Sequence, residues 1–121
     1  MSRFALAIVA SLIAGGTAAA ASLPDRSGLS YDENVIVNSA CFKARQKNDG
    51  AYNDCIQRQI SALKAHPTPD RSALSAVQNR TIEDKCEFYR RVGIADYNDC
   101  VTAAMATLSA QTGKNPGVAA N

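Results

Sequence analysis

The apolar positions of this chain fall into stripes with helical spacing, and the stripes come in two matched pairs. Val37, Cys41 and Ala44 stand at i, i+4 and i+7, and Ile82, Cys86 and Tyr89 repeat that spacing, so each set lies along one face of a helix. Downstream, Tyr52, Cys55, Ile56, Ile60 and Leu63 form a second stripe, matched by Tyr97, Cys100, Val101, Met105 and Leu108. Gln57, Arg58, Gln59 and Lys64 share the opposite face of the first copy, which predicts a solvated surface there.

Punctuation residues set the expected ends. Ser30 with Glu33, and Ser75 with Gln78, have the S-x-x-E/Q spacing of a capping box, where hydroxyl and acid or amide satisfy orphan backbone N–H groups. The first helix is predicted over residues 31–47, stopped by Asn48-Asp49-Gly50, and its counterpart is stopped by Gly93. The second helix of each pair should start just before its tyrosine. Asp96 is then the expected N-cap of the last helix, and Asp54 and Asp99 fall in first turns, where negative charge meets the positive end of the helix dipole. Ala65-His66-Pro67-Thr68-Pro69 reads as a short, stiff linker with a solvated His66. Residues 113–121, Gly113 to Asn121, read as a disordered tail.

The pairing of stripes reflects an internal duplication. Shifted by forty-five positions, Pro24-Asp25-Arg26-Ser27 falls on Pro69-Asp70-Arg71-Ser72, Leu29-Ser30 on Leu74-Ser75, and Asn34 on Asn79. Cys41 falls on Cys86, Arg45 on Arg90, Tyr52-Asn53-Asp54-Cys55 on Tyr97-Asn98-Asp99-Cys100, and Leu63 on Leu108. Periods of this length mark stacked helical units. The expected fold is therefore all-α, two tandem disulfide-stapled helical hairpins with about four helices. The first hairpin repeat occupies residues 22–68 and the second 69–112.

The start of the chain changes the picture of where this fold works. Arg3 gives a positive n-region, Phe4 to Ala14 is apolar, and Gly15 to Ala21 is a run of small residues. That is the pattern of a secretory signal peptide over residues 1–21, too short for a membrane span, with cleavage after Ala20 or Ala21. A periplasmic or secreted location follows. Four cysteines in an exported chain read as two disulfides. Antiparallel helices joined at residues 48–50 bring Cys41 to Cys55, and the same geometry pairs Cys86 with Cys100. The rival is one long hairpin, in which Cys41 and Cys55 share a face and pair across to Cys100 and Cys86. It would put Asn48-Asp49-Gly50 inside a helix, where these residues are poor formers.

The run Pro-Asp-Arg-Ser-Gly-Leu-Ser, then a cysteine, Tyr-Asn-Asp-Cys and a Gln/Leu-rich helix resembles a short cysteine-containing helical repeat of exported bacterial proteins. That repeat stands alone or beside other domains, trypsin-like peptidases among them. The resemblance covers Pro24 to Ala110 and implies an exported helical module without implying an activity. The copies differ in glycine placement, Gly50 standing two residues before its tyrosine and Gly93 four before.

Candidate chemistry is sparse. Thirteen lysines and arginines against eleven acids give a net charge of +2, one less without Arg3, which disfavours nucleic acid as a partner. The cysteine spacing is neither the C-x2-C of a zinc site nor the C-x-x-C of a thiol exchanger, so no metal and no cofactor are expected. His66 is the single histidine. Asp54 with Asp99, and Glu83 with Asp84, are weak acid–base pairs. Asn48-Asp49-Gly50 with Asn53-Asp54 lacks the alternating ligands of an EF-hand. Tyr52 and Tyr97 are expected at the hairpin tips, as plugs over the turn and as interaction anchors. The expectation is an exported, non-enzymatic interaction or envelope accessory module, binding another exported protein or a second copy of itself, with no membrane span in its mature form. The alternative is a periplasmic thiol-redox or metal-buffering protein using Cys41, Cys55, Cys86 and Cys100.

Overall fold

The computed structural model describes residues 22–114, so the predicted signal peptide and residues 115–121 lie outside the described chain. Five α-helices and one 3₁₀ segment form the fold, with no strand among the described residues: α1 (Tyr31–Ala40), α2 (Phe42–Arg45), α3 (Asp49–Ala62), α4 (Ala76–Cys86), the 3₁₀ segment Glu87–Arg91, and α5 (Ile94–Lys114). The all-α class with helices joined by two disulfides is as expected. Helix α5 includes Gly113 and Lys114, which the sequence pattern assigns to the tail; the rest of that stretch lies outside the described residues.

Both predicted capping boxes form. The Ser30 hydroxyl accepts from the Glu33 N–H at 3.2 Å, and the Ser30 N–H donates back to the Glu33 carboxylate at 2.7 Å. Ser75 and Gln78 do the same at 3.2 and 2.9 Å. Ahead of each box, Asp25 accepts from the Ser27 N–H and Asp70 from the Ser72 N–H, both at 2.9 Å. These are Asx turns that fold the extended lead-in back toward the helix.

The helix breaks differ from expectation. Instead of one helix over 31–47, α1 stops at Ala40, and Cys41 itself has φ −94° and ψ 6° before α2 begins. Cys86 does the same with φ −104° and ψ −3°, after which the chain tightens into the 3₁₀ segment. The cysteine is thus the point where each first helix turns toward its partner. Asp49 and Gly50 do not stop a helix. Asn48 is the N-cap of α3, extended at φ −173°, its side chain accepting from the Ala51 N–H at 2.7 Å. Helix α5 likewise starts before Asp96, with the Gly93 carbonyl accepting from the Tyr97 N–H at 3.0 Å. Asp49 and Asp96 therefore hold the first-turn positions expected of Asp54 and Asp99.

The disulfides are Cys41–Cys55 and Cys86–Cys100, with Cα separations of 5.7 and 5.8 Å, and no cysteine is free. The within-hairpin pairing is the one that forms. The two hairpins share a single core of Ile36, Val37, Cys41, Cys55, Ile56, Ile82, Cys86, Ile94, Tyr97, Val101 and Ala104. Helix α1 packs on the 3₁₀ segment and on α5, and α3 packs on α5. Burying these side chains against each other is the main apolar contribution to the fold, about 1.5–3 kcal/mol for each large one.

Candidate functional site: two unequal copies of one polar cluster

Residues forty-five apart build the same constellation twice, with opposite electrostatic results. In the second hairpin, Glu83 on α4 is the hub. Its Oε1 accepts from Arg71 Nη1 at 2.6 Å and from the Tyr97 hydroxyl at 2.7 Å, and its Oε2 accepts from Arg90 Nε and Nη2 at 3.2 and 2.9 Å. The Arg90 guanidinium continues to Asp32 on α1 at 3.0 and 3.3 Å, donates to the Tyr97 hydroxyl at 3.1 Å, and lies 4.6 Å from that ring's centre. This arrangement joins the hairpins through Arg90 and Asp32, fifty-eight residues apart.

The protonation of the cluster follows from these bonds. Burial pushes the Glu83 carboxyl up, but the hydrogen bonds from Arg71, Tyr97 and Arg90 outweigh it and hold the group below its ordinary value. Burial pulls the Arg90 guanidinium down, and its hydrogen bonds to Asp32 and Glu83 more than reverse that. Burial and then the bond to Glu83 push the Tyr97 hydroxyl up. The result is a set of fixed charges.

In the first hairpin, Asn38 stands where Glu83 does. Its Oδ1 accepts from Arg26 Nη2 at 2.9 Å and from the Tyr52 hydroxyl at 2.9 Å, while Arg26 Nε reaches Asn34 at 2.9 Å. The amide carries no charge, so the arginine equivalent to Arg90 is left over. Arg45 stacks over the Tyr52 ring at 5.7 Å and forms no ion pair among the described residues. Beside it opens a cleft of about 640 Å³ lined by Asn38, Phe42, Lys43, Arg45, Tyr52 and Arg91, together with Ser39 and Ala40 at the end of α1. Three cations and two aromatic rings face this space, and no carboxylate lines it.

The predicted interaction residues part company here. Tyr52 is half-buried and lines the cleft, whereas Tyr97 is only 3% exposed and is consumed in the core and the Glu83 cluster. Glu83, weakly paired with Asp84 in the sequence, is instead tied to arginines and a tyrosine. His66 is not freely solvated, since its Nδ1 lies 2.8 Å from Asp99 and its carbonyl accepts from the buried Asn98 amide at 2.8 Å. Gln59, expected on the wet face, accepts from the Ile94 N–H at 2.8 Å and so satisfies an orphan donor at the start of α5. A Cβ on Gly93 would stand 3.1 Å from that same amide. Among the described residues no cluster of three or more His, Cys, Asp or Glu side chains is arranged to hold a metal ion.

Arg45, Lys43 and Arg91 were missed as a group because they come from two hairpins and converge only when α1 packs on the 3₁₀ segment. The exchange of Glu83 for Asn38 at matching positions points to Arg45, and nothing in the sequence marks Lys43 or Arg91. Compared with known proteins, the chain matches no family model, no curated protein and no solved structure.

Proposed function

We propose that this chain is an exported, non-enzymatic helical repeat protein that works by binding another exported protein. The observation that carries the reading is the open cleft of the first hairpin, where Phe42, 58% exposed, stands among Lys43, Arg45 and Arg91 on a doubly cross-linked frame. Exposed apolar ring surface is costly to leave in water, and aromatic rings beside arginine are typical of interface anchors. The two disulfides favour an oxidising compartment, and no described helix is long and apolar enough to cross a membrane. The resemblance to repeats of exported bacterial proteins supports the same setting. A thiol-redox role would need an attackable sulfur; Cys41, Cys55 and Cys86 are buried, and Cys100 alone is partly exposed.

The test is affinity capture from envelope extract of a cell that makes the protein, with the oxidised chain as bait and Phe42→Ser as control. A specific protein retained by the wild type and lost by the variant is expected. Capture of nothing, or of the same proteins by both baits, would remove the support for this reading.

A further inference from the structure

We propose that the cleft of Asn38, Lys43, Arg45, Tyr52 and Arg91 is a docking site for an acidic peptide segment of a partner protein, carrying an apolar side chain next to its carboxylates. The inference rests on the binding role proposed above and names what the site takes. The second hairpin supplies the argument by showing what this arrangement needs. There, Arg71, Tyr97 and Arg90 converge on one carboxylate, and Arg90 gains a second from Asp32. In the first hairpin Arg26 and Tyr52 share the neutral Asn38 oxygen, and Arg45 finds neither carboxylate. The cleft beside Arg45 then adds Lys43 and Arg91, without an acid in its lining. A ligand that brings carboxylates would supply what the chain itself supplies in its other half.

Size and apolar surface decide between an ion and a segment. About 640 Å³ is room for several side chains rather than for one small anion. Phe42 and the Tyr52 ring offer apolar walls that a free inorganic anion would not use. Arginine on aromatic faces suits a carboxylate flanked by an apolar group, because the guanidinium keeps its edge free for bidentate bonding.

The experiment uses the full oxidised chain and a fluorescent short peptide of glutamates with two phenylalanines, read by anisotropy. Controls are the same peptide with lysines for glutamates, and inorganic phosphate as competitor. The expected result is saturable binding of the glutamate peptide that weakens with salt, with none for the lysine peptide. Asn38→Glu installs the carboxylate of the second hairpin and should lower peptide affinity by about tenfold or more, without lowering the melting temperature. Should that variant misfold, Arg45→Gln gives the same comparison on an exposed side chain. The proposal is overturned if the glutamate peptide fails to saturate, if the lysine peptide binds equally, if both variants bind like the wild type, or if phosphate alone displaces the peptide at equal concentration. A partner captured equally by wild type and Asn38→Glu would overturn the cleft while leaving the binding role standing. Peptide binding without any captured partner would do the reverse.

Discussion

Replacing Glu83 by Gln removes one charge and almost no volume, which isolates the electrostatic part of the hub. Four hydrogen bonds end on this carboxylate, three of them from guanidinium groups. Buried charge-assisted bonds are worth about 1.5–3 kcal/mol each, but exposed pairs give at most about 1 kcal/mol. Glu83 is a third exposed, so each bond belongs near the lower figure, and glutamine keeps one acceptor oxygen. The expected cost is about 2 kcal/mol at neutral pH, a drop of roughly 10 °C in melting temperature for a domain of this size. The pH dependence carries the sharper test. The Glu83 carboxyl sits below its ordinary value of 4.5 in the fold, so on acidification the unfolded chain takes up the proton first. Its contribution is therefore complete above the unfolded value and is lost as pH falls through the lower, folded one. Glutamine cannot titrate, and the gap between wild type and Glu83→Gln should be constant near neutrality and close under acid conditions. Urea unfolding followed by circular dichroism, in non-reducing buffer across this range, measures it. A gap below about 0.5 kcal/mol, or one that does not change with acidification, would refute the hub reasoning.

Three further outcomes follow from the same packing. Removing either disulfide, as Cys41→Ala with Cys55→Ala or Cys86→Ala with Cys100→Ala, should cost about 3 kcal/mol in thermal melts, the chain-entropy value for loops of this length; peptide mapping without reduction should find both pairs and no alkylated thiol. Gly93→Ala should cost about 1 kcal/mol by pushing the Gln59 amide off the Ile94 N–H, and Gln59→Ala about the same. Because both act on one hydrogen bond, the double variant should cost clearly less than the two singles together, and additivity would show that Gly93→Ala does not act through that bond. Asn98→Ala cuts the amide that holds the His66 carbonyl, so limited proteolysis should cleave residues 65–69 faster than in the wild type, and unchanged cleavage would contradict the tether.

What could be read in advance was whatever depended on local spacing. The capping boxes at Ser30 and Ser75, the pairing of Cys41 with Cys55 and Cys86 with Cys100, and the burial of Val37, Ile56 and Val101 are short-range consequences of helix geometry. The i, i+7 spacing puts Tyr89 on the buried stripe, yet it is 39% exposed because the chain changes period at Cys86. A 3₁₀ turn holds three residues rather than 3.6, so Tyr89 swings outward and Arg90 comes in toward Glu83. Nothing in Glu87–Arg91 marks that change ahead of time. Ile36, Ile94 and Ala104 escaped the stripe reading for a different reason: a helix packed on two neighbours buries more than one face. The cleft needed both kinds of information. Its aromatic and basic residues lie on α2, α3 and the 3₁₀ segment, against Asn38 on α1, and only the shared core brings them together.

The difference between Asn38 and Glu83 sets stability against availability between the two hairpins. A carboxylate at position 83 locks Arg71, Arg90 and Tyr97 into the frame and leaves Tyr97 buried. An amide at position 38 satisfies only two donors, so the matching ring stays half-buried and the matching arginine stays on the surface. If the proposed docking role uses the unpaired charge of Arg45, it does so at some loss of folding energy, and reversing the exchange should recover it. Asn38→Glu is thus expected to raise the melting temperature by several degrees, since one added ion pair of about 0.5–1 kcal/mol is worth that much in a domain this small. The reciprocal variant, Glu83→Asn, should lower stability by leaving Arg71 without an ion pair and Arg90 with Asp32 alone. If Asn38→Glu left the melting temperature unchanged or lower, Arg26 and Arg45 would not be within reach of a carboxylate at position 38. The correspondence between the two clusters would then stop at the backbone.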